Sequence, residues 1–234
     1  YRKYNQLYEI TDYFSHKCRV TCVYNTGKNT DLSVLDNFTK NKSEIYDYLN
    51  QKYGKVSYYL LKEYLYKKYK QCTTFNTTVV MSVLKFFKPN KWLDMSAGWG
   101  DRLIGAIAYG CQYTGVDPSK CMNPVYQKII KTLAPKSKQD QYNIIKDGFE
   151  NTDKLKTNYY DLVFSSPPFF DLEIYETADS QSIKKFNSLD KWLNGFLYPS
   201  IKKSYTSLVK GGHLALYISD YSGVSYVSKM KKYI

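Results

Sequence analysis

The chain predicts a doubly wound α/β fold, with a mostly parallel sheet and helices on both faces, preceded by a small basic segment. Three observations carry that expectation. Short apolar runs alternate with amphipathic stretches from Trp92 onward. The first of those runs ends in a glycine turn at Gly98 and Gly100. The second ends in an acidic residue, Asp117, about twenty residues after the turn, as in nucleotide-binding βαβ units.

Residues 1–70 are polar and rich in Lys and Tyr, and are expected to form a mainly helical segment apart from a second unit at 71–234. Residues 17–24 alternate loosely and suggest a strand, and 25–30 read as a turn. Ser43 is placed to cap a helix running to Tyr53, which Gly54 closes. Tyr59, Leu60, Tyr64 and Tyr66 recur near helical spacing within 56–69. Val79, Val80, Val83 and Leu84 mark a helix over 77–87, stopped by Pro89.

Beyond Pro89, strands are expected at 92–96, 113–116, 142–146, 161–165 and 213–219. Helices are expected at 102–109, 123–133 and 189–209, the last bent or broken near Pro199 and ended by Gly211-Gly212.

The formal net charge of +13 favours a polyanionic partner, nucleic acid before an anionic membrane surface. Fifteen Lys or Arg against seven Asp or Glu lie before Lys91, so much of the excess precedes the α/β region. No apolar run approaches the roughly 20 residues of a membrane span, and no secretory leader opens the chain. The five cysteines are odd in number and irregular in spacing. A disulfide framework is therefore not expected, and a reducing intracellular compartment (cytoplasm, nucleus or viral factory) is the simpler reading, with buried thiols in a strand around 18–24. His16, Cys18 and Cys22 lack a fourth ligand at zinc-like spacing, so no metal is expected. The start at Tyr1 and the end soon after a fifth strand suggest a piece of a longer polypeptide or a trimmed product.

Four motifs carry the chemistry. Asp94, Ser96, Gly98 and Gly100 form a D-x-S-x-G-x-G turn between a strand and a helix, where bare backbone and a helix N-terminus can receive a ligand. Asp117 ends the next strand, placed to accept from two ribose hydroxyls. Asp147 follows the third strand and suits either an adenine amino group or a turn. Ser166, Pro167, Pro168 and Phe169 follow the fourth strand. There the Ser166 hydroxyl and the Pro167 carbonyl can accept from both N–H bonds of an amino group, and Phe169 can stack on an extruded base.

Together these residues resemble the amino-methyltransferase branch of the class I S-adenosylmethionine-dependent family, over about residues 71–220. The resemblance implies a Rossmann-like methyltransferase sheet with S-adenosyl-L-methionine as cofactor. It implies that Asp94 to Gly100 form the cofactor loop, Asp117 the ribose acid and Asp147 the adenine-side acid. Ser166-Pro-Pro-Phe169 would be the catalytic tetrad, and Thr74 and Phe75 would touch the methionine end of the cofactor. The implied activity is methylation of an exocyclic amino group in DNA, at N4 of cytosine or N6 of adenine. Ser in the first tetrad position leans to cytosine, whereas Phe in the last is seen in adenine-directed RNA enzymes. RNA methylation, a silent scaffold subunit and protein glutamine methylation are the alternatives. Residues 171–187 are expected to form a target-facing loop. The family sheet usually closes with a hairpin after the fifth strand. Here that hairpin is expected to lie beyond Ile234, or a partner domain or subunit to complete the sheet.

Overall fold

A computed structural model describes residues 8–26, 31–175, 181–221 and 223–234. The N-terminal part contains α1 (Tyr8–Arg19), the two-residue strand β1 (Val23–Tyr24), α2 (Val34–Lys40), α3 (Lys42–Tyr53) and α4 (Tyr58–Lys68). Then come α5 (Thr77–Phe87), β2 (Lys91–Asp94), α6 (Asp101–Tyr109), β3 (Gln112–Val116), α7 (Met122–Leu133), a 3-10 turn (Lys136–Gln141) and β4 (Tyr142–Ile145). The remainder is β5 (Tyr160–Ser165), β6 (Glu173–Ile174), α8 (Ser182–Lys185), α9 (Leu189–Trp192), a π-turn (Leu193–Leu197), α10 (Tyr198–Ser207), β7 (Leu208–Leu216) and α11 (Val227–Tyr233).

Five strands form one sheet in the order β4-β3-β2-β5-β7, every pair parallel. This is a doubly wound, Rossmann-like sheet. The chain winds outward from β2 through β3 to β4, then returns to β5 on the other side of β2. The order therefore reverses between β2 and β5, and in such sheets the crevice at the strand C-termini opens at that reversal. Trp92, Leu162 and Phe164 face one buried layer, and Leu93 and Val163 the other. Burial on both faces explains why these strands are continuous apolar runs. Among the described residues no helix is long and apolar enough to cross a membrane.

Several expectations need correction. Residues 17–19 end helix α1, and only Val23–Tyr24 is strand. The buried positions of α1 are Thr11, Asp12, Phe14, Ser15, Cys18 and Arg19, a helical spacing, but four of them are polar and hide the period from hydropathy. The short helix α2 was not anticipated. It is set by a capping box in which Ser33 accepts from Asp36 N and Asp36 from Ser33 N. Asn41, not Ser43, occupies the N-cap of α3, while Gly54 closes it with φ 66°. The expected turn at 25–30 lies in part outside the described residues.

Residues 189–207 are helical throughout but change type, α9 passing through the π-turn into α10, with Pro199 in the first turn of α10. Gly211 and Gly212 do not end that helix. They lie inside β7, where the register against β5 shifts between the pairs Tyr160–Leu208 and Leu162–His213. Gly211 takes φ 81°, the conformation a strand bulge requires.

The cysteines are the largest correction. Cys18 is bonded to Cys121 and Cys22 to Cys72, while Cys111 is a buried thiol. The partners stand 103 and 50 residues apart, so only tertiary packing, which sets α1 against α7 for the first pair, brings them together. Local spacing carries no trace of such pairs.

Gly100, at φ 93°, starts α6 against α7, and a Cβ there would lie 2.6 Å from Ile129 Cδ1. Gly100→Ala is expected to cost about 1–3 kcal/mol through strain and overpacking, read as a lower urea midpoint at unchanged slope.

Candidate active site

The crevice at the β2/β5 reversal is a cleft of about 500 Å³, within the range of small-ligand pockets. Its lining brings together Thr74, Phe75, Ser96, Gly98 and Asp117, and all four residues of Ser166-Pro-Pro-Phe169. Asp94, Gly100 and Asp147 were singled out in the sequence but do not line it.

Asp94 is fully buried at the end of β2. Its Oδ2 accepts from Arg102 Nε at 2.8 Å and from the Tyr113 hydroxyl at 2.7 Å. Its Oδ1 accepts from Ser165 Oγ at 2.6 Å and Ser96 N at 3.2 Å. With its oxygens so engaged, Asp94 organises the turn rather than meeting a ligand. Arg102 also donates to the Ser96 carbonyl, so one ion pair holds both ends of the loop. Sequence reading missed Arg102, although Asp and Arg eight residues apart across a glycine turn were visible.

Asp117 closes β3 and meets the same loop. Its Oδ2 accepts from Gly98 N and its Oδ1 from Ser119 N, each at 2.9 Å. Burial pushes its carboxyl up to about 6, outweighing those two donors. Tyr126 of α7 donates to the Gly98 carbonyl, so Gly98 is gripped from both sides. Asp101, at the start of α6, also lines the cleft. It accepts from Thr11 Oγ1 at 2.7 Å and from Phe75 N at 3.2 Å, and burial raises it to about 6. Through Asp101, α1 and the segment holding Thr74 and Phe75 are tied to the helix that follows the glycine turn.

After β4, the Asp147 carboxylate accepts from Gly148 N at 2.7 Å. The cleft wall there is Gly148, Phe149 and Glu150. Glu150, with a side chain 5% exposed, pairs with Lys185 at 3.1 Å and supplies the cleft acid on this side. Both acids sit in one loop, and only the way it folds decides which faces inward.

Beyond the tetrad the chain turns sharply. Leu172 N donates to the Phe169 carbonyl at 2.9 Å, and Phe170 takes φ 44°. β6 then pairs antiparallel with β1, and Asn25 N and Nδ2 donate to the carbonyls of Leu172 and Asp171. The N-terminal arm thus braces the far side of the tetrad. Tyr175 and Trp99 meet edge-on at 5.7 Å, and both line the cleft; Trp99 is an unassigned position within the glycine turn, and Tyr175 belonged to no recognisable motif. Of the loop expected at 171–187, residues 176–180 lie outside the described residues; the rest is irregular apart from β6 and α8.

No family model matches the chain, and no curated protein matches it. Solved structures do. The glycopeptide N-methyltransferase MtfA complexed with sinefungin is similar at 17% identity, over 61% of this chain and 54% of that one, with TM-score 0.44. A putative S-adenosyl-L-methionine-dependent methyltransferase from Methanococcus maripaludis is similar at 14% identity, over 79% and 62%, with TM-score 0.44. The 1,6-didemethyltoxoflavin-N1-methyltransferase of Burkholderia thailandensis is similar at 12% identity, over 63% and 53%, with TM-score 0.44. The chain spans about half the length of the first of these.

Proposed function

We propose that this protein transfers a methyl group from S-adenosyl-L-methionine to the exocyclic amino group of a base in DNA, at N4 of cytosine or N6 of adenine. One observation carries the reading: Ser166-Pro-Pro-Phe169 and the Gly98–Asp117 pair line the same cleft. The residues present fit the cofactor. Asp117 offers a carboxylate to hydroxyls, Glu150 a carboxylate to an amino group, Phe149 an apolar wall, and Gly98 bare backbone.

When bound, the cofactor supplies a methyl carried on positive sulfur. The protein's work is then positioning. Ser166 Oγ and the Pro167 carbonyl accept hydrogen bonds from the two amino N–H groups, which concentrates the lone pair on nitrogen and aims it in line. Phe169 stacks on the base once it has left the helix. An apolar, half-enclosed wall from Phe75 and Trp99 strengthens those polar contacts by excluding water. The same reading places the protein inside the cell with its polymer, and gives a partner domain or subunit the edge of the sheet at β7. The basic N-terminal residues then contact phosphates, and polymer affinity falls steeply with salt.

Asp117→Ala is expected to weaken S-adenosylhomocysteine binding by about 2–3 kcal/mol, about 30- to 150-fold, because two hydroxyls lose a charged acceptor. Titration calorimetry with unchanged affinity would remove Asp117 from the site.

Affinity is also expected to depend on pH. Only ionised Asp117 accepts from both hydroxyls, so binding weakens as pH falls through about 6. Folding stability should move the other way. With the folded pKa above the unfolded one, the native state holds more protons across that window, and the apoprotein gains stability toward acid. A calorimetric series from pH 5 to 8 showing flat affinity contradicts the assignment.

The test of the whole reading is transfer from labelled cofactor to duplex DNA, single-stranded DNA and RNA, with the product nucleosides identified by mass. N4-methylcytosine or N6-methyladenine in DNA supports it, and a methylated base in RNA alone changes the polymer. Cofactor binding without transfer to any nucleic acid overturns the base-directed reading.

A further inference from the structure

Two disulfides tie one short stretch of the N-terminal arm to the walls of the cleft. Cys18, near the end of α1, is bonded to Cys121 just before α7, and Cys22, just before β1, to Cys72 ahead of α5. They differ in access. Cys22 and Cys72 are 1% and 0% exposed, whereas Cys121 is exposed and both Cys18 and Cys121 line the cleft. A thiolate entering the cleft therefore meets one bond and not the other.

The accessible bond joins two pieces of the site. Cys121 lies four residues after Asp117, in a loop closed by Ser119 N on Asp117 Oδ1 and by Met122 N on Ser119 Oγ at 3.1 Å. Cys18 belongs to the arm whose β1 end pairs with β6 and whose Asn25 holds the turn after Phe169. One covalent bond thus couples the Asp117 loop to the brace behind the tetrad. The sealed Cys22–Cys72 bond keeps the arm tethered when the other opens, so opening is local and reversible.

We propose that Cys18–Cys121 is a reducible latch on the cleft, whose opening loosens the Asp117 loop and the arm and weakens cofactor binding; the last step rests on reading the cleft as the cofactor site. A dithiol is the co-reactant. Its thiolate attacks Sγ of Cys121, the S–S bond breaks, and Cys18 leaves as a thiolate that takes up a proton. The second dithiol sulfur attacks the mixed disulfide and releases Cys121, which is also protonated. Two electrons and two protons reach the protein, and the dithiol becomes a cyclic disulfide. In a reducing compartment the latch stands open, and oxidation closes it.

The experiment is a dithiothreitol titration of the full chain with three readouts: iodoacetamide trapping mapped by peptide mass, hydrogen exchange, and S-adenosylhomocysteine affinity. Cys18 and Cys121 are expected to be trapped at ~10-fold lower dithiothreitol than Cys22 and Cys72. Exchange should then rise at 117–124 and 169–175, and Kd should rise about tenfold. The double variant Cys18→Ser/Cys121→Ser should match the reduced protein and no longer respond. Saturating S-adenosylhomocysteine should slow trapping at Cys121. Simultaneous opening of both bonds, earlier opening of Cys22–Cys72, or unchanged exchange after selective opening overturns the latch. If S-adenosylhomocysteine binds neither form, the cofactor reading fails, and trapping and exchange still decide the latch.

Discussion

Asp94→Ala is expected to lower folding stability by about 3–5 kcal/mol, the cost of leaving a buried charge without its partner. The Arg102 side chain is 5% exposed, and Asp94 is its ion-pair partner at 2.8 Å. Removing the carboxylate also strips acceptors from Tyr113, Ser165 and Ser96, which lie on β3, β5 and the glycine turn. Three segments converge on one side chain, so the loss is not that of a single hydrogen bond. Asp94→Asn keeps the shape but not the charge, and should recover only part of the stability. Arg102→Leu in the Asp94→Ala background should cost less than the two single changes added together, because the orphaned guanidinium is gone. Urea unfolding of the unaltered protein and these four variants reads this directly. A loss under about 1 kcal/mol for Asp94→Ala would make the network incidental.

Phe169→Ala and Pro167→Ala address the chemistry instead. Each is expected to lower turnover by about 10²–10³-fold, the scale on which preorganised donors and acceptors act in a dry site. S-adenosylhomocysteine affinity should change by no more than about threefold, because the glycine turn proposed to hold it is fixed by Asp94, Arg102 and Tyr126 on other elements. That separation distinguishes a target-side role from a cofactor-side one. On the proposed reading, Phe169 would offer a ring to the base, and Pro167 would fix the carbonyl that faces its amino group. Ser166→Ala, which removes one of two acceptors, should have the smaller effect. Single-turnover rates with saturating cofactor provide the measurement. Full activity in Phe169→Ala or Pro167→Ala removes the tetrad from catalysis.

What was legible in the sequence follows from how locally each feature is encoded. The strands β2 to β5 appeared within a residue or two because each is buried on both faces and reads as an apolar run between turns. α5 was legible because Val80 and Leu84 repeat at helical spacing and Pro89 stops it. The cleft motifs were legible because a doubly wound sheet sends successive strand ends to one crevice, so order along the chain implies proximity.

The features that were not legible depend on partners distant in sequence. α1 was hidden because Thr11 and Ser15, two of its buried positions, are polar, and Thr11 finds Asp101 ninety residues away. Gly211-Gly212 reads as a helix stop, and only the register of β7 against β5 turns it into a bulge. Glu150 rather than Asp147 lines the cleft because of how their shared loop folds, with Glu150 paired to Lys185 in α8. By itself, then, the sequence determined the sheet, its order of elements and the residues gathered at its switch point, since periodicity and short motifs are local properties. The tertiary structure alone decided which carboxylate is spent on Arg102 and which faces the cleft, where the arm lies, and which cysteines meet. Those outcomes are contacts between residues tens of positions apart, and chain packing sets them rather than any local pattern.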